Sequence, residues 1–278
     1  MPGWRATSPR RASGSSRQSA RTARTVAGRA SPTRWTRPAA ARAAQSGRAR
    51  GAPKGRDGAV EAIRALMVAR RSAAGERTRT NGQARALLLT GPDDLRARFT
   101  RHTPAALVSG LASLRPRPGD VAGYAVRVAL RELGRRAQFP AGQLGRLDEL
   151  IVPLVTARAP GLPALYGIGP RTAALLLIAA GDHPGRLRSE AARAHLCGAA
   201  PIPASPGKVT RHRQGPGGDR QASHALWRIV FTRLGCDPAT RAHAERRTAE
   251  GKSKAEIIRC LKRYVAREAC RHLRPAAG

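Results

Sequence analysis

The sequence predicts a mainly α-helical protein that begins with a basic, disordered N-terminal arm. Apolar residues recur at three- and four-residue spacing through most of the chain after residue 57, and capping residues precede several of these stripes. Residues 1–56 hold 14 lysines and arginines, no aspartate or glutamate, and few bulky apolar side chains. The predicted parts are therefore a disordered arm at 1–56, a coiled-coil-like helical linker at 57–158, and a helical C-terminal domain at 159–275.

The charge of the chain predicts a polyanionic partner. The 278 residues carry a formal net charge of +35, with a sequence pI near 11.9. Without residues 1–56, 38 of the 52 basic residues remain beside all 17 acidic ones, which is a net charge of +21. Nucleic acid is the usual partner of such a protein. The nine aromatic residues are few, which argues against stacking platforms for single strands.

Cysteine spacing and hydropathy exclude several other classes of protein. No C-x-x-C pair occurs, so we expect free thiols in a reducing compartment and no zinc or other metal site. No apolar run is long enough to span a membrane, and the basic N-terminus lacks the apolar core of a secretory signal. A cytoplasmic, nucleoid-associated protein is expected. The four cysteines are Cys197, Cys236, Cys260 and Cys270.

The linker is predicted as helices interrupted by prolines. Asp57 is a candidate N-cap for a first helix that carries the stripe Val60, Ile63, Leu66 and Met67. A second stripe has coiled-coil spacing and consists of Leu144, Leu147, Ile151 and Leu154. Pro153 is expected to kink or end that helix, and further breaks are expected at Pro104, Pro116, Pro118 and Pro140. The stripe suits a homo-oligomer seam or plain core packing equally well.

The C-terminal domain opens with a sequence typical of a helix-hairpin-helix motif. Residues 162–173 read LPALYGIGPRTA, in which Gly167-Ile168-Gly169 forms the turn and Arg171 lies in the following helix. Backbone N–H groups at such a turn and helix start favour a phosphate. The alternative is a purely structural turn. If Gly169 has a positive φ, valine at this position distorts the turn.

A serine loop follows at residues 201–220. Ser205 precedes a Pro-Gly pair, and cations that could hold a phosphodiester and stabilise its developing charge come next. Ser205 is the candidate nucleophile. A solvated basic loop that only touches a nucleic-acid backbone is the alternative. The candidate DNA-contacting residues here are Lys208, Arg211, His212, Arg213 and Arg220.

Capping signals predict three further helices. The signals are an Asp219 cap, Asp237 followed by Pro238, a terminating Gly251, and a capping box from Ser253 to Glu256. Arg220, His224 and Arg228 share one face of the first of these helices. The last helix has an outer face of arginines and lysines, which is either solvated or in contact with nucleic acid.

These C-terminal motifs, in this order, resemble the insertion-sequence-110 type of transposase, the bridge-RNA-guided recombinases with four acidic residues. The matching sequence segments are LPALYGIGPRTAALLLIAAGDHPGRLRSEAARAHLCGAAPIPASPGK, RHR, GGDRQA and RTAEGKSKAEIIRCLKRYVARE. The resemblance implies an N-terminal RuvC-like domain whose carboxylates hold Mg²⁺, a helical coil, and a C-terminal domain with a serine nucleophile. It also implies DNA and a structured guide RNA as partners.

The sequence departs from this pattern in two places. The first acidic residue is Asp57, so we expect no Mg²⁺ site and no other cofactor in this chain. Residues 30–37 can be back-translated so that the neighbouring frame reads GKSDPVDA, which resembles the second acidic pair of the family. We therefore interpret residues 1 to about 38 as either an out-of-frame product or a nucleic-acid-binding arm. Pro206 also stands where the family has the serine next to glycine.

Two functions from different classes follow. The first is a truncated or degenerate insertion-sequence transposase that binds DNA and is impaired in strand cleavage and recombination. The second is a non-catalytic DNA- or RNA-binding module. A basic RNA-binding accessory protein has less support, because aromatics are few and the hairpin motif suits a duplex backbone.

Overall fold

The computed structural model describes residues 42, 45, 46, 57–116, 118–182, 189–203, 212–214 and 217–273, with the backbone alone at 202, 203 and 212–214. The chain divides into two compact units, Met1–Gly51 and Ala52–Gly278. In the first unit, the Ser46 amide donates to the Arg42 carbonyl at 2.9 Å. Apart from residues 42, 45 and 46, the segment 1–56 that is predicted to be disordered lies outside the described residues.

Nine helices and two short strands make up the described part of the second unit, which confirms the mainly α fold. The helices are α1 (Ala59–Thr90), α2 (Asp93–Phe99), α3 (Pro104–Ala112), α4 (Val121–Arg158), α5 (Pro170–Ala180), α6 (Glu190–Leu196), α7 (Arg220–Cys236), α8 (Pro238–Ala249) and α9 (Lys254–His272). Strands β1 (Pro201–Pro203) and β2 (His212–Gln214) pair antiparallel, with Ile202 opposite Arg213.

The long helices α1 and α4 pack side by side in opposite directions. Arg70 binds Asp148 near one end of the pair, and Arg136 binds Glu76 farther along. Because the partner number falls as the α1 number rises, the two helices are antiparallel. Leu144 and Ile151 are buried, as the stripe predicts. The coiled-coil seam between copies of the chain stays a prediction.

Two separate apolar cores stabilise the unit. The smaller core joins α1 to α4 and includes Phe99, Leu107, Leu111 and Leu130, each at most 1% exposed. The larger core combines Ile63 and Ile151 with residues of the C-terminal helices, such as Leu176 and Leu226. The predicted linker and C-terminal domain therefore share a core across residue 158, and the domain boundaries stay a prediction.

Prolines interrupt the helices less than predicted. Pro140 and Pro153 both lie inside α4, which runs without a break to Arg158. A proline removes one backbone hydrogen bond, and tertiary packing along the length of α4 compensates for that loss. Pro104 begins α3 at its first turn, where the missing N–H costs nothing. The predicted break at Pro140 and the predicted helix end at Pro153 are therefore wrong, and a kink at Pro153 stays a prediction.

The cap of α1 also differs from the prediction. Gly58 is the N-cap residue and has no side chain to offer, so Asp57 does not cap the helix. Instead Asp182, which follows α5, accepts from the Val60 amide at 3.1 Å. A Cβ atom at Gly58 would lie 2.5 Å from the Asp182 carboxyl carbon, so glycine is needed for this approach. A residue 122 positions away thus caps the first helix.

The other predicted caps are confirmed. Asp219 accepts from two amides at the start of α7, Asp237 caps α8 with Pro238 in its first turn, and Ser253 and Glu256 form the capping box of α9. Gly251 has a φ of 78°, which suits the end of α8.

Candidate nucleic-acid interface

A surface cleft of about 530 Å³ lies between the segment that precedes α5 and one face of α7. Backbone and side chains of residues 163–172 form one wall, together with Leu175. Residues one turn apart on α7 form the other wall, and these are His224, Arg228 and Thr232. The structure therefore brings the predicted Gly167, Gly169 and Arg171 together at one site.

Arg233 holds the turn at Gly167 in place. Its Nε atom donates to the Tyr166 carbonyl at 2.9 Å, and its Nη1 atom donates to Glu268 of α9 at 2.8 Å. The Arg233 side chain is only 13% exposed. Because the guanidinium of Arg233 binds both the turn and α9, it holds the wall of the cleft formed by residues 163–172 against α7 and α9.

The left-handed glycine of the turn is Gly167 and not Gly169. Gly167 has a φ of 75°, whereas Gly169 has a φ of −82° and is the N-cap residue of α5. A Cβ atom at Gly169 would meet nothing within 4 Å. The expectation that valine at Gly169 distorts the turn is therefore wrong, and the conformational requirement belongs to Gly167. A complete helix-hairpin-helix motif stays a prediction.

The start of α5 presents backbone donors to the cleft. Pro170 occupies the first turn, and no side chain caps the helix. The first N–H groups of a helix have no acceptor within the helix, and the positive end of the helix dipole lies there. Arg171 and Thr172, which both line the cleft, belong to this first turn.

Arg171 lies among other arginines. Desolvation lowers the pKa of its guanidinium, and the charges of Arg70 and Arg228 lower it further. Arg77 acts in the same direction, and Asp148 opposes the shift. Asp148 is itself bound by Arg70 through two hydrogen bonds of 2.5 and 2.7 Å. Arg171 stays protonated at neutral pH, so the cluster carries excess positive charge that a bound anion would offset.

The remaining predicted site residues fall between positions 205 and 220 of the sequence. Ser205, Lys208 and Arg211 lie outside the described residues. His212 and Arg213 lie on β2, and Arg220 is the exposed first residue of α7. The segment between β2 and α7 contacts the end of α6, because the Asp219 amide donates to the Leu196 carbonyl at 2.6 Å.

Sequence reasoning missed Arg70, Arg77 and Asp148 as charges that act on Arg171. They belong to the predicted linker, and nothing in their local sequence distinguishes them from other charged residues on long helices. Only the packing of α1 and α4 against α5 brings them near Arg171. The His224–Arg228 face was visible in the sequence as a helical stripe.

The described part of the chain contains neither a cluster of metal ligands nor a membrane-spanning helix. Within those ranges, no three histidine, cysteine, aspartate or glutamate side chains lie close enough to hold a metal ion. Since a Mg²⁺ pair requires several carboxylates, the described residues do not fit that cofactor. None of the described helices has the length and apolar character needed to cross a bilayer.

Comparison with known proteins identifies the segment that contains the cleft. Residues 161–245 match the family model described as Transposase IS116/IS110/IS902 family. The chain is also 34% identical over 106 residues to the Insertion element IS110 uncharacterized 43.6 kDa protein of Streptomyces coelicolor. That match covers 38% of this chain and 26% of the relative, so the chain spans about a quarter of the length of this curated relative. Residues 161–245, which include both walls of the cleft, are therefore similar to the transposase domain of that family.

Proposed function

We propose that this protein binds DNA through the cleft and that a backbone phosphate binds at Arg171. The observation that carries the proposal is that Arg171 and Arg228 line the same cleft at the start of α5, with the ion pair of Arg70 and Asp148 close enough to act on Arg171. Backbone N–H groups at the same helix start add donors that suit a phosphate oxygen. The family of residues 161–245 supports DNA as the polyanion.

The salt dependence of duplex binding tests this proposal. Each phosphate contact releases counterions, so log K falls linearly with log salt concentration. Arg171→Ala should lower the magnitude of that slope by about 1 and weaken binding to unrelated sequences equally. An unchanged slope in Arg171→Ala would contradict the phosphate site.

A matched pair on α1 controls for net charge. Arg77 acts electrostatically on Arg171, and Arg79, two residues on along α1, lies on a different face of the helix. Both side chains are exposed. We expect Arg77→Ala to weaken binding and Arg79→Ala to leave it nearly unchanged, although each removes one positive charge. Arg211→Ala tests the serine loop by the same measurement of slope.

We further propose that the protein is a degenerate transposase, impaired in strand cleavage and recombination. Pro206 supports this, because it occupies the place of the expected serine and has no hydroxyl. Ser205, one residue earlier, remains the candidate nucleophile. A covalent protein–DNA adduct that survives denaturation and disappears in Ser205→Ala would contradict impairment. Binding without an adduct favours the second candidate, a non-catalytic nucleic-acid-binding module.

The same proposal includes partners that follow from the resemblance. They are a structured guide RNA and a second copy of the chain bound through residues 57–158, whereas Mg²⁺ is expected of the full-length family and not of this chain. Exposed apolar side chains on α1 and α4 support the second copy, since Leu89 is 69% and Phe139 is 67% exposed. Sedimentation of the purified protein measures the oligomeric state, and nucleoid association would follow from DNA binding.

A further inference from the structure

Three aromatic rings form a stacked ladder along the surface of α7. The rings of His224 and Trp227 have centroids 6.0 Å apart and planes 27° apart. Those of Trp227 and Phe231 are 5.3 Å apart, with planes at 20°. Spacings of three and four residues place all three on one helix face. We call His224, Trp227 and Phe231 the aromatic ladder.

The ladder is exposed where a folded protein normally buries such groups. Phe231 is 60% and Trp227 is 38% exposed. Large aromatic side chains contribute more apolar burial than any others, so leaving two of them in water forgoes stability. An unpartnered aromatic surface of this kind suits a ligand that presents flat rings.

The ladder is continuous with the cationic cleft. His224 belongs to both, because it stacks on Trp227 and also lines the cleft beside Arg228. Tyr166, on the opposite wall of the cleft, is 55% exposed. Flat apolar rings next to clustered guanidinium groups match a strand that has both bases and phosphates.

We propose that the aromatic ladder stacks unpaired bases of a nucleic-acid strand whose backbone phosphate lies at Arg171. This inference rests on the proposed binding of nucleic acid by the cleft. Bases in a duplex are stacked on each other, whereas bases of a single strand or loop expose faces that aromatic side chains cover. The scarcity of aromatics in the sequence argued against such a platform, but the fold places two of the nine on this one face.

Tryptophan fluorescence measures the stacking directly. The chain has three tryptophans, so Trp4→Phe and Trp35→Phe leave Trp227 as the single reporter. We would titrate this variant with oligothymidylate, oligouridylate, an abasic oligodeoxynucleotide of equal length, and a duplex. The expected result is quenching by the two single strands with bases and little quenching by the abasic strand or the duplex. The relative affinities of the two single strands then identify DNA or RNA as the preferred source.

Binding by variants of the full chain separates stacking from charge. Trp227→Ala should weaken binding of labelled oligothymidylate by about tenfold, which is the range for loss of one stacked base, and should leave the salt slope unchanged. Trp227→Leu keeps apolar volume and should show the same loss. Tyr264→Ala, which removes an aromatic side chain that is 49% exposed on α9, serves as the control and should bind normally. Circular dichroism confirms that each variant is folded.

Each contrary outcome has a distinct meaning. Equal binding of abasic and normal strands, or normal binding by both Trp227 variants, would overturn the stacking inference. A drop in oligomeric mass in Trp227→Leu, with unchanged affinity for oligothymidylate, would instead assign the ladder to a second copy of the chain. Duplex binding that still depends on Arg171 would keep the proposed function intact in either case. If the wild-type protein shows no salt-dependent binding to either the duplex or oligothymidylate, both proposals are wrong.

Discussion

At position 167 the backbone takes a φ of 75°, and the neighbouring Tyr166 carbonyl accepts a hydrogen bond from Arg233. A side chain at this φ is strained, and a Cβ atom would also lie 3.2 Å from the Arg233 Cγ atom. Gly169, two residues on, has neither restriction. The two glycines of one short turn therefore have different physical roles.

Gly167→Ala should lower the free energy of unfolding by about 1–2 kcal/mol, the cost of a left-handed conformation for an L-residue. Because the change also displaces one wall of the cleft, duplex affinity should fall. Gly169→Ala is the matched control and should cost less stability, because alanine takes the φ of −82° without strain and loses only the N-cap preference for glycine. Urea denaturation and duplex titration measure the two effects. Equal destabilisation by both substitutions would contradict the assignment of the turn to Gly167.

Asp148 contributes a pH-dependent term to stability. Hydrogen bonds from Arg70 hold the pKa of Asp148 below its ordinary value. A carboxyl group with a lowered folded-state pKa stabilises the fold above its unfolded pKa of about 3.9, and this contribution disappears as the pH falls through the folded value.

Asp148→Asn should therefore cost stability at neutral pH and show a shallower further loss below about pH 4. The effect is modest, because the Asp148 side chain is 43% exposed and solvent screens the pair. Thermal unfolding from pH 7 to pH 3 measures it, with Glu149→Gln as the control. Parallel pH profiles for the wild type and Asp148→Asn would show that the ion pair does not contribute.

Among the elements, α4 shows how close packing overrides helix propensity. Gly134 is buried, and a Cβ atom there would lie 2.5 Å from the backbone nitrogen of Ala112 at the end of α3. Gly145 lies in the same helix, is exposed, and would meet nothing within 4 Å. The first glycine lets two helices approach closely, whereas the second has no such contact.

Gly134→Ala should destabilise the protein, although alanine is the better helix former by about 1 kcal/mol. A methyl group against backbone atoms forces α3 away from α4, and the cost of such overpacking is typically about 1–3 kcal/mol. Gly145→Ala should instead stabilise the protein by up to about 1 kcal/mol. The free energies of unfolding of the two variants should therefore change in opposite directions. If Gly134→Ala and Gly145→Ala both stabilise the protein, α3 and α4 must lie farther apart at Gly134 than described.

For the whole molecule, the unit Ala52–Gly278 contains both cores and the cleft. A chain that begins at Ala52 should therefore unfold cooperatively with a midpoint close to that of the full chain. Its duplex affinity should fall, because basic residues are removed, but Arg171→Ala should still lower the salt slope by about 1. Calorimetry and salt titration measure these outcomes. Loss of cooperative unfolding would show that the unit depends on residues 1–51.

The helical class and most helix starts could be predicted from residue patterns, because caps and apolar stripes act within a few residues. Asp219 and Ser253 cap their helices as local sequence indicates. Asp182 shows the limit of such reasoning, since it caps α1 from another part of the chain. Pro153 shows the same limit, because packing along α4 compensates for a residue that locally favours a break.

The positive charge, the turn at residues 166–169, and the similarity of residues 161–245 to a transposase domain all follow from the amino-acid sequence alone. These are properties of composition and of short ordered motifs. Tertiary packing alone places Arg70 near Arg171 and leaves the face of α7 that carries Trp227 and Phe231 exposed beside the cleft. Such contacts depend on how helices distant in sequence pack, and no local pattern encodes that distance.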